Sequence, residues 1–338
     1  MRVTKWSRLV LAGSLVALGI ASAAAEYPEH PINGFIAWGA GGGTDTVSRL
    51  TTPIAEKQLG QSIILANKTG ATGAIAAQAV ASAKADGYTL LFHAENPQLY
   101  QVLGLSQLSY DDFDPIMLFV QGSTVIVVPK DSPIKSYEEL IKAAKASPGK
   151  LSIGISGIGG QPWVTATLLK KIEGVTFNQV AYDGDGPLTT ALLGKQLDVS
   201  GLAVGAAVQY VKNGDLRALA IMKSSPNPAL PDVPYITKLN PAFTNAMKAS
   251  GFFYGVFVKK GTPQPIEDKL TAAYKAALSE PKFVDYAKNN GLTVLGISGA
   301  QAREFMNNWR SQMSWLIFEA GGAKESPEKF NIPKPAGM

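Results

Sequence analysis

Phe35-Ile36-Ala37-Trp38-Gly39-Ala40-Gly41-Gly42-Gly43-Thr44-Asp45 is the stretch on which the reading of this chain turns. A short apolar run ends in a glycine-rich loop and a helical pattern follows, which is the strand, loop and helix order of an α/β unit. Glycines in such a loop let backbone N–H groups converge on a guest, and the helix N-terminus adds positive potential suited to an anion. Two nucleotide readings fail. No Gly-Lys-Ser/Thr follows for a P-loop, and no G-x-G-x-x-G with an acidic residue after the next strand is present. Taken alone, the loop serves equally as a tight turn with Thr44 or Asp45 as a helix cap.

Working outward, β-rich runs recur between helical patterns: Ile63 to Leu65, Thr89 to Phe92, Val125 to Val128, Leu151 to Ile155, Leu197 to Ser200, Ala218 to Ile221 and Tyr254 to Val258. That alternation predicts an α/β protein whose lobes are mainly parallel sheets flanked by helices. Helices stop at glycine, as at Leu59-Gly60, Asn213-Gly214 and Asn290-Gly291, which suits left-handed caps. Pro53 falls inside the helix expected after Asp45 and predicts a kink or a late start there. A second loop of the first one's design, Ser156-Gly157-Ile158-Gly159-Gly160-Gln161-Pro162-Trp163, leads into a helix from Val164 to Lys171. Two such helix starts in separate α/β segments favour an anion clamp over two unrelated turns. Tyr182-Asp183-Gly184-Asp185-Gly186-Pro187 is a third candidate, its aspartates serving either as caps or as ligand contacts.

The chain has 338 residues and a formal net charge of +5. Residues 1–25 carry Arg2, Lys5 and Arg8, an apolar run from Leu9 to Ile20 and small residues to Ala25, the layout of a secretory signal cleaved near Ala25. Three of the 31 basic residues lie in it, leaving 28 against 26 acidic ones, so the basicity is largely a targeting feature. No basic block with interleaved aromatics marks a nucleic-acid surface. Cysteine is absent, which removes disulfides, thiolate metal sites and a lipoprotein anchor. A mature chain of this length suffices for two domains.

Catalysis has little to stand on. The mature sequence holds only His30 and His93, and neither belongs to a G-x-S-x-G or H-E-x-x-H pattern. His93, just past a strand end, reads as a hydrogen-bonded structural histidine. Asp111-Asp112-Phe113-Asp114 reads as a solvated loop without the signs of a metal site. No metal, cofactor or catalytic residue is expected.

An ordered series of stretches resembles the substrate-binding proteins of tripartite tricarboxylate transporters, the Bug receptors. It includes Tyr27-Pro28, Gly41-Gly42-Gly43-Thr44-Asp45, Asp86-Gly87-Tyr88-Thr89-Leu90-Leu91, Ser156-Gly157 with Gly159, Tyr182 with Gly184 and Gly186-Pro187, Leu192-Leu193-Gly194, Leu230-Pro231-Asp232-Val233-Pro234 and Gly261-Thr262-Pro263. The resemblance runs from about Tyr27 to Ala323. It implies a two-lobed, type II-like periplasmic binding protein fold crossed twice by the chain, with residues 26–125 plus 251–338 forming one lobe and 126–250 the other. It further implies a monomeric receptor in the periplasm that captures a small di-, tri- or aromatic carboxylate and delivers it to membrane permease subunits. Feeding a signalling system instead is the alternative role. The lobes are expected to hinge near Val125 and Phe253, open without ligand and closed around it.

Carried onto this chain, the resemblance implies ligand contacts at Trp38, Gly42, Gly43, Thr44 and Asp45 in the first loop and at Ser156, Gly157, Gly159, Gly160, Gln161 and Trp163 in the second. Thr72 and Gly73, in the stretch Thr69 to Ala74, and Tyr182 and Asp183 complete the expected set. Departures narrow the transfer. Trp38-Gly39-Ala40 stands where the family usually has Phe-Pro-Pro, Trp163 where histidine is common, Ile158 where asparagine is common, and Asp183 where lysine is common. Two tryptophans beside the clamp suggest a flat, aromatic carboxylate.

Overall fold

The computed structural model describes residues 27–248 and 251–335. The expected secretory signal and its expected cleavage point near Ala25 lie outside them. The first part of the chain forms β1 (Ile32–Ile36), α1 (Gly43–Leu59), β2 (Ile63–Asn67), α2 (Ala74–Ala81), β3 (Thr89–Ala94), the single turn α3 (Tyr100–Leu103) and β4 (Phe113–Gly122). The middle part forms β5 (Thr124–Pro129), α4 (Tyr137–Ala146), β6 (Ser152–Ile155), α5 (Gln161–Glu173), β7 (Asn178–Ala181), α6 (Asp185–Leu193), β8 (Val199–Ala203), α7 (Val204–Lys212) and β9 (Leu216–Met222). After the short helices α8 (Ile236–Leu239) and α9 (Thr244–Met247) come β10 (Phe252–Lys259), α10 (Gln264–Leu278), α11 (Pro281–Asn289), β11 (Thr293–Ile297) and α12 (Gly299–Glu319). None of the described helices is long and apolar enough to cross a membrane.

Two sheets result, ordered β11-β4-β10-β3-β1-β2 and β7-β6-β8-β5-β9. The sheets have flanking helices as expected, and each combines parallel with antiparallel pairs. β1 runs parallel to β2 and β3, and β6 to β7 and β8, through βαβ crossovers. β10 and β5 instead lie antiparallel to both of their neighbours, because each enters its sheet from the other one and therefore against the direction set by the crossovers. One crossing is the direct step from β4 through Ser123 to β5; the return from β9 to β10 passes through α8 and α9. Val125 thus sits inside β5 and Phe253 inside β10.

Two strands carried no clear sequence signal. β4 contains Asp114 and Pro115, which argue against a strand interior. It accommodates Pro115 opposite Phe257, at a register shift and beyond the reach of β11, which pairs only with Leu118 to Gln121. β11 is half exposed and short of apolar alternation. Pro53 neither ends α1 nor delays its start, since the helix runs from Gly43 through it to the left-handed cap at Gly60. The C-terminal tail is docked, with Trp315 Nε1 donating to Ile332 O at 3.1 Å and Ser311 Oγ to Pro333 O at 2.6 Å.

Candidate functional site: a cavity between the two sheets

The first glycine loop is built by its own acid. β1 ends at Ile36, and the chain turns through Gly41, whose φ of +76° suits glycine. Gly41 N–H donates to Asp45 Oδ2 at 3.0 Å, while Arg49 Nε and Asn67 Nδ2 both donate to Asp45 Oδ1 at 2.8 Å. Asn67 Nδ2 also reaches Trp38 O at 2.8 Å. Asp45 is therefore saturated inside the lobe and holds the loop so that Gly42, Gly43 and Thr44, the start of α1, border a cavity. The leading amides of a helix have no intrahelical acceptor and remain available to a guest. A side chain at Gly43 would run into Tyr254, its Cβ falling 2.3 Å from the hydroxyl, so close approach dictates glycine there.

The lobes meet across this cavity by two matched seams. In one, the first loop touches the third: Gly39 N–H donates to Asp183 O at 2.8 Å, and a Cβ at Gly186 would fall 2.2 Å from Ala40 O. The beginnings of α1 and α6 are thereby brought together. In the other, the second loop meets the ends of β3 and the turn before α2. Thr72 Oγ1 donates to Ile158 O at 2.9 Å, Asn96 Nδ2 to Gly159 O at 2.9 Å, and Gln161 Nε2 to Glu95 Oε1 at 2.8 Å.

An inner cavity of about 40 Å³ lies between the seams, bordered by the starts of α1, α5 and α6 together with Trp38, Glu95, Asn96, Ser156, Ala203, Phe252 and Tyr254. That is room for a few waters or a compact polar group. Trp38 and Ser156 also border a larger outer hollow of about 540 Å³, shared with Thr72, Gly157, Tyr182 and Asp183. Three buried polar atoms on the inner wall have no hydrogen-bond partner: Trp38 Nε1, Glu95 Oε2 and Asn96 Oδ1. Burial pushes the Glu95 carboxyl up to about 8; the hydrogen bond from Gln161 opposes this and the charge of Asp185 adds to it. Burial raises Asp185 to about 6, opposed by the Ala203 N–H, and lifts Tyr254 well above its ordinary value, with the charges of Asp185 and Glu95 adding. No Lys, Arg or His is among the described residues lining the cavity.

Six of the fifteen residues expected from sequence border the inner cavity: Trp38, Gly42, Gly43, Thr44, Ser156 and Gln161. Thr72, Gly157, Tyr182 and Asp183 border the outer hollow. Five border neither. Asp45 is consumed by its loop. Gly73 packs against the His93 ring, Gly159 against Leu103, and Gly160 against the Ser156 hydroxyl. Trp163 is buried in a hydrophobic cluster drawn from both lobes and packs against Gly322, so of the two tryptophans Trp38 alone borders the cavity and the argument for an aromatic ligand loses half its basis.

Sequence reasoning missed Glu95, Asn96, Phe252 and Tyr254, and left Asp185 open between helix cap and ligand contact. Glu95 and Asn96 follow β3 directly, and ligands in open α/β sheets bind beyond the carboxyl ends of strands, so position could have found them. His93, beside them, is fully buried: Ala94 N–H donates to Nδ1 at 2.7 Å, and the Nε2 proton points at Tyr100 Oη at 2.9 Å, whose own proton goes to Thr72 O. Burial lowers its pKa to about 3, so it stays neutral and structural. Among the described residues no cluster could hold a metal ion.

Residues 47–321 match the model of the tripartite tricarboxylate transporter family receptor, TctC. The chain belongs to this family. It is 33% identical over 326 residues to the protein encoded in the gbd 5′ region of Cupriavidus necator, covering 94% of this chain and 97% of that protein. Among solved TctC-like structures, the periplasmic binding protein BugD superposes with a TM-score of 0.83 at 30% identity, covering 88% of this chain and all of BugD. MatC from Rhodopseudomonas palustris, solved with bound malate, superposes with a TM-score of 0.77 at 28% identity, covering 85% and 100% of the two chains. The family is one of solute-binding receptors rather than enzymes, and its periplasmic binding proteins give this chain its fold and its functional class.

Proposed function

We propose that this TctC receptor captures a small organic carboxylate between its lobes, in the periplasm, and presents it to the membrane permease subunits of a tripartite tricarboxylate-type transporter. The observation carrying this reading is the convergence of three helix starts, at Gly43, Gln161 and Asp185, on one cavity whose described lining has no basic side chain. Such a site holds an anion by oriented amides and helix dipoles rather than by a salt bridge. The relationship to MatC, bound to malate, supports a carboxylate.

In this reading the signal is removed near Ala25 and the monomer closes residues 26–125 plus 251–338 against residues 126–250. Gly42, Gly43, Thr44 and Trp38 bind from one side, with Ser156 and Gln161 opposite them. Ligand bridging both lobes stabilises the closed form because its contacts with both exist only there. A thermal-shift and calorimetry screen of mono-, di-, tri- and aromatic carboxylates tests it. A ligand at 100 times its Kd stabilises the fold by about 2.7 kcal/mol, so at least one carboxylate should raise the melting temperature by several degrees. A flat response across the panel overturns the reading.

A further inference from the structure

The inner wall has more acceptors than a carboxylate needs. Glu95 is wholly buried, gives Oε1 to the Gln161 amide and leaves Oε2 without a partner at the cavity. Beside it in sequence, Asn96 commits its Nδ2 to Gly159 O, which fixes the side-chain orientation and leaves Oδ1 as a second unpartnered acceptor. Asp185 brings a further carboxyl to the same cavity from the opposite lobe, its Oδ2 accepting only from Ala203 N–H at 3.3 Å. Arg49, the basic side chain nearest in sequence to the first loop, is committed to Asp45 and Asn67. An anionic ligand accounts for the helix starts and for the unpartnered Trp38 Nε1 donor. It leaves Asn96 Oδ1 unsatisfied, and Glu95 Oε2 as well once that carboxyl gives up the proton that burial holds on it; buried acceptors without a donor are costly. A second carboxylate placed against Asn96 Oδ1 and the Asp185 carboxyl would meet acceptors rather than donors.

We propose that the cavity selects a small amino-carboxylate, whose ammonium is hydrogen-bonded by Glu95 Oε2, Asn96 Oδ1 and the Asp185 carboxyl, while its carboxylate takes the amides at the helix starts and Trp38 Nε1. This rests on the carboxylate-receptor reading and narrows its ligand class: a zwitterion matches both halves of the wall, whereas a di- or tricarboxylate matches one. Glu95 is then the specificity-determining residue, and Gln161 positions it from the other lobe.

Calorimetry on the mature protein with pairs that differ in the amine tests this: aspartate against succinate, γ-aminobutyrate against butyrate, and β-alanine against propionate. At least one amino member should bind about 100-fold more tightly than its nitrogen-free partner, the range that charge-assisted hydrogen bonds to acceptors otherwise left without a donor supply. Glu95→Gln, near-isosteric and able to keep the Gln161 contact, should weaken that amino member by about 10- to 100-fold and leave the nitrogen-free partner unchanged or improved. Asp185→Asn should act in the same direction to a smaller degree, and circular dichroism melts of both variants establish that they are folded. Tight binding of succinate or malate, with no preference for the amine and no response to Glu95→Gln in folded protein, overturns this inference while leaving the carboxylate receptor intact. Failure of both series to bind overturns this inference, and failure of the whole carboxylate panel overturns the receptor reading with it.

Discussion

The first and second glycine loops have one design in sequence and two roles in the fold. Each runs from a strand into a helix start, and each ends in a residue that invites a ligand assignment, Asp45 in the first and Trp163 in the second. In the first loop the backbone and Trp38 border the cavity, and Asp45 works behind them as a brace. In the second loop Trp163 is buried in a hydrophobic cluster shared by both lobes, and Gln161 reaches across the cleft to Glu95. Glycine-rich helix starts thus announce where a guest sits, while the neighbouring side chains are sorted by tertiary packing into brace, core and contact.

The sharpest way to break this contrast is at Trp163. It is 7% exposed, and truncating a buried aromatic costs about 3–5 kcal/mol. Trp163→Ala should lower the urea midpoint accordingly, yet the folded fraction should bind ligand as the wild type does. Weakened affinity in folded protein would return Trp163 to the site and erase the difference between the loops.

Gln161 and Glu95 give the contrast a pH signature. A buried carboxyl at about 8, against about 4.5 in the unfolded chain, means that the folded protein holds a proton the unfolded one lacks between those values. Stability is therefore greatest at the acid end of that window and falls as pH rises through it, by at most about 5 kcal/mol. Asp185 at about 6 and Glu267 at about 7, each raised chiefly by burial, act in the same sense, so the decisive quantity is a difference. Melts of the ligand-free protein from pH 5 to 8 should decline less steeply in Glu95→Gln than in wild type; equal slopes would mean that Glu95 is not held neutral at the cleft.

At the first loop's own seam, the expected effect is smaller and falls on binding. A methyl group at Gly186 meets Ala40 O at 2.2 Å across the cleft, with no conflict within its own lobe among its nearest neighbours. Gly186→Ala should weaken ligand binding by about 10- to 100-fold, the equivalent of the 1–3 kcal/mol that overpacking costs, with little change in the melt of the free protein. Unchanged affinity would show that α1 and α6 need not come together for capture.

How much of this was legible in advance follows from the range of the interactions. The α/β class, the helix starts and the glycine caps are local, and alternation and loop chemistry reveal them. Mixed sheet direction was hidden because β5 and β10 take their orientation from crossing between lobes, which no window of sequence contains. The site divides the same way. Gly42, Gly43 and Thr44 border the cavity by virtue of their own loop, whereas Tyr254 reaches it from a strand more than 200 residues away. Glu95 lies between the two cases, since its place at the end of β3 is local and its pairing with Gln161 is not.

Thr72 allows the finest test, because two opposing terms act on one residue. It lies in a run of four positive φ angles, Gly70 to Gly73, and its own φ of 56° and ψ of 37° place a β-branched residue in the left-handed region, at a cost of order 1–2 kcal/mol. Against that stands the hydrogen bond of Oγ1 to Ile158 O across the cleft, worth about 0.5–1.5 kcal/mol. Thr72→Gly removes both. The strain is present whether the lobes are apart or together, while the hydrogen bond exists only when they meet. The free protein should therefore change little in stability, the relief of strain being offset by the greater chain entropy of glycine, whereas ligand affinity should fall by about two- to tenfold. An affinity equal to that of wild type would show that the second seam forms without Thr72, leaving the Asn96 and Gln161 contacts to hold that side of the cleft.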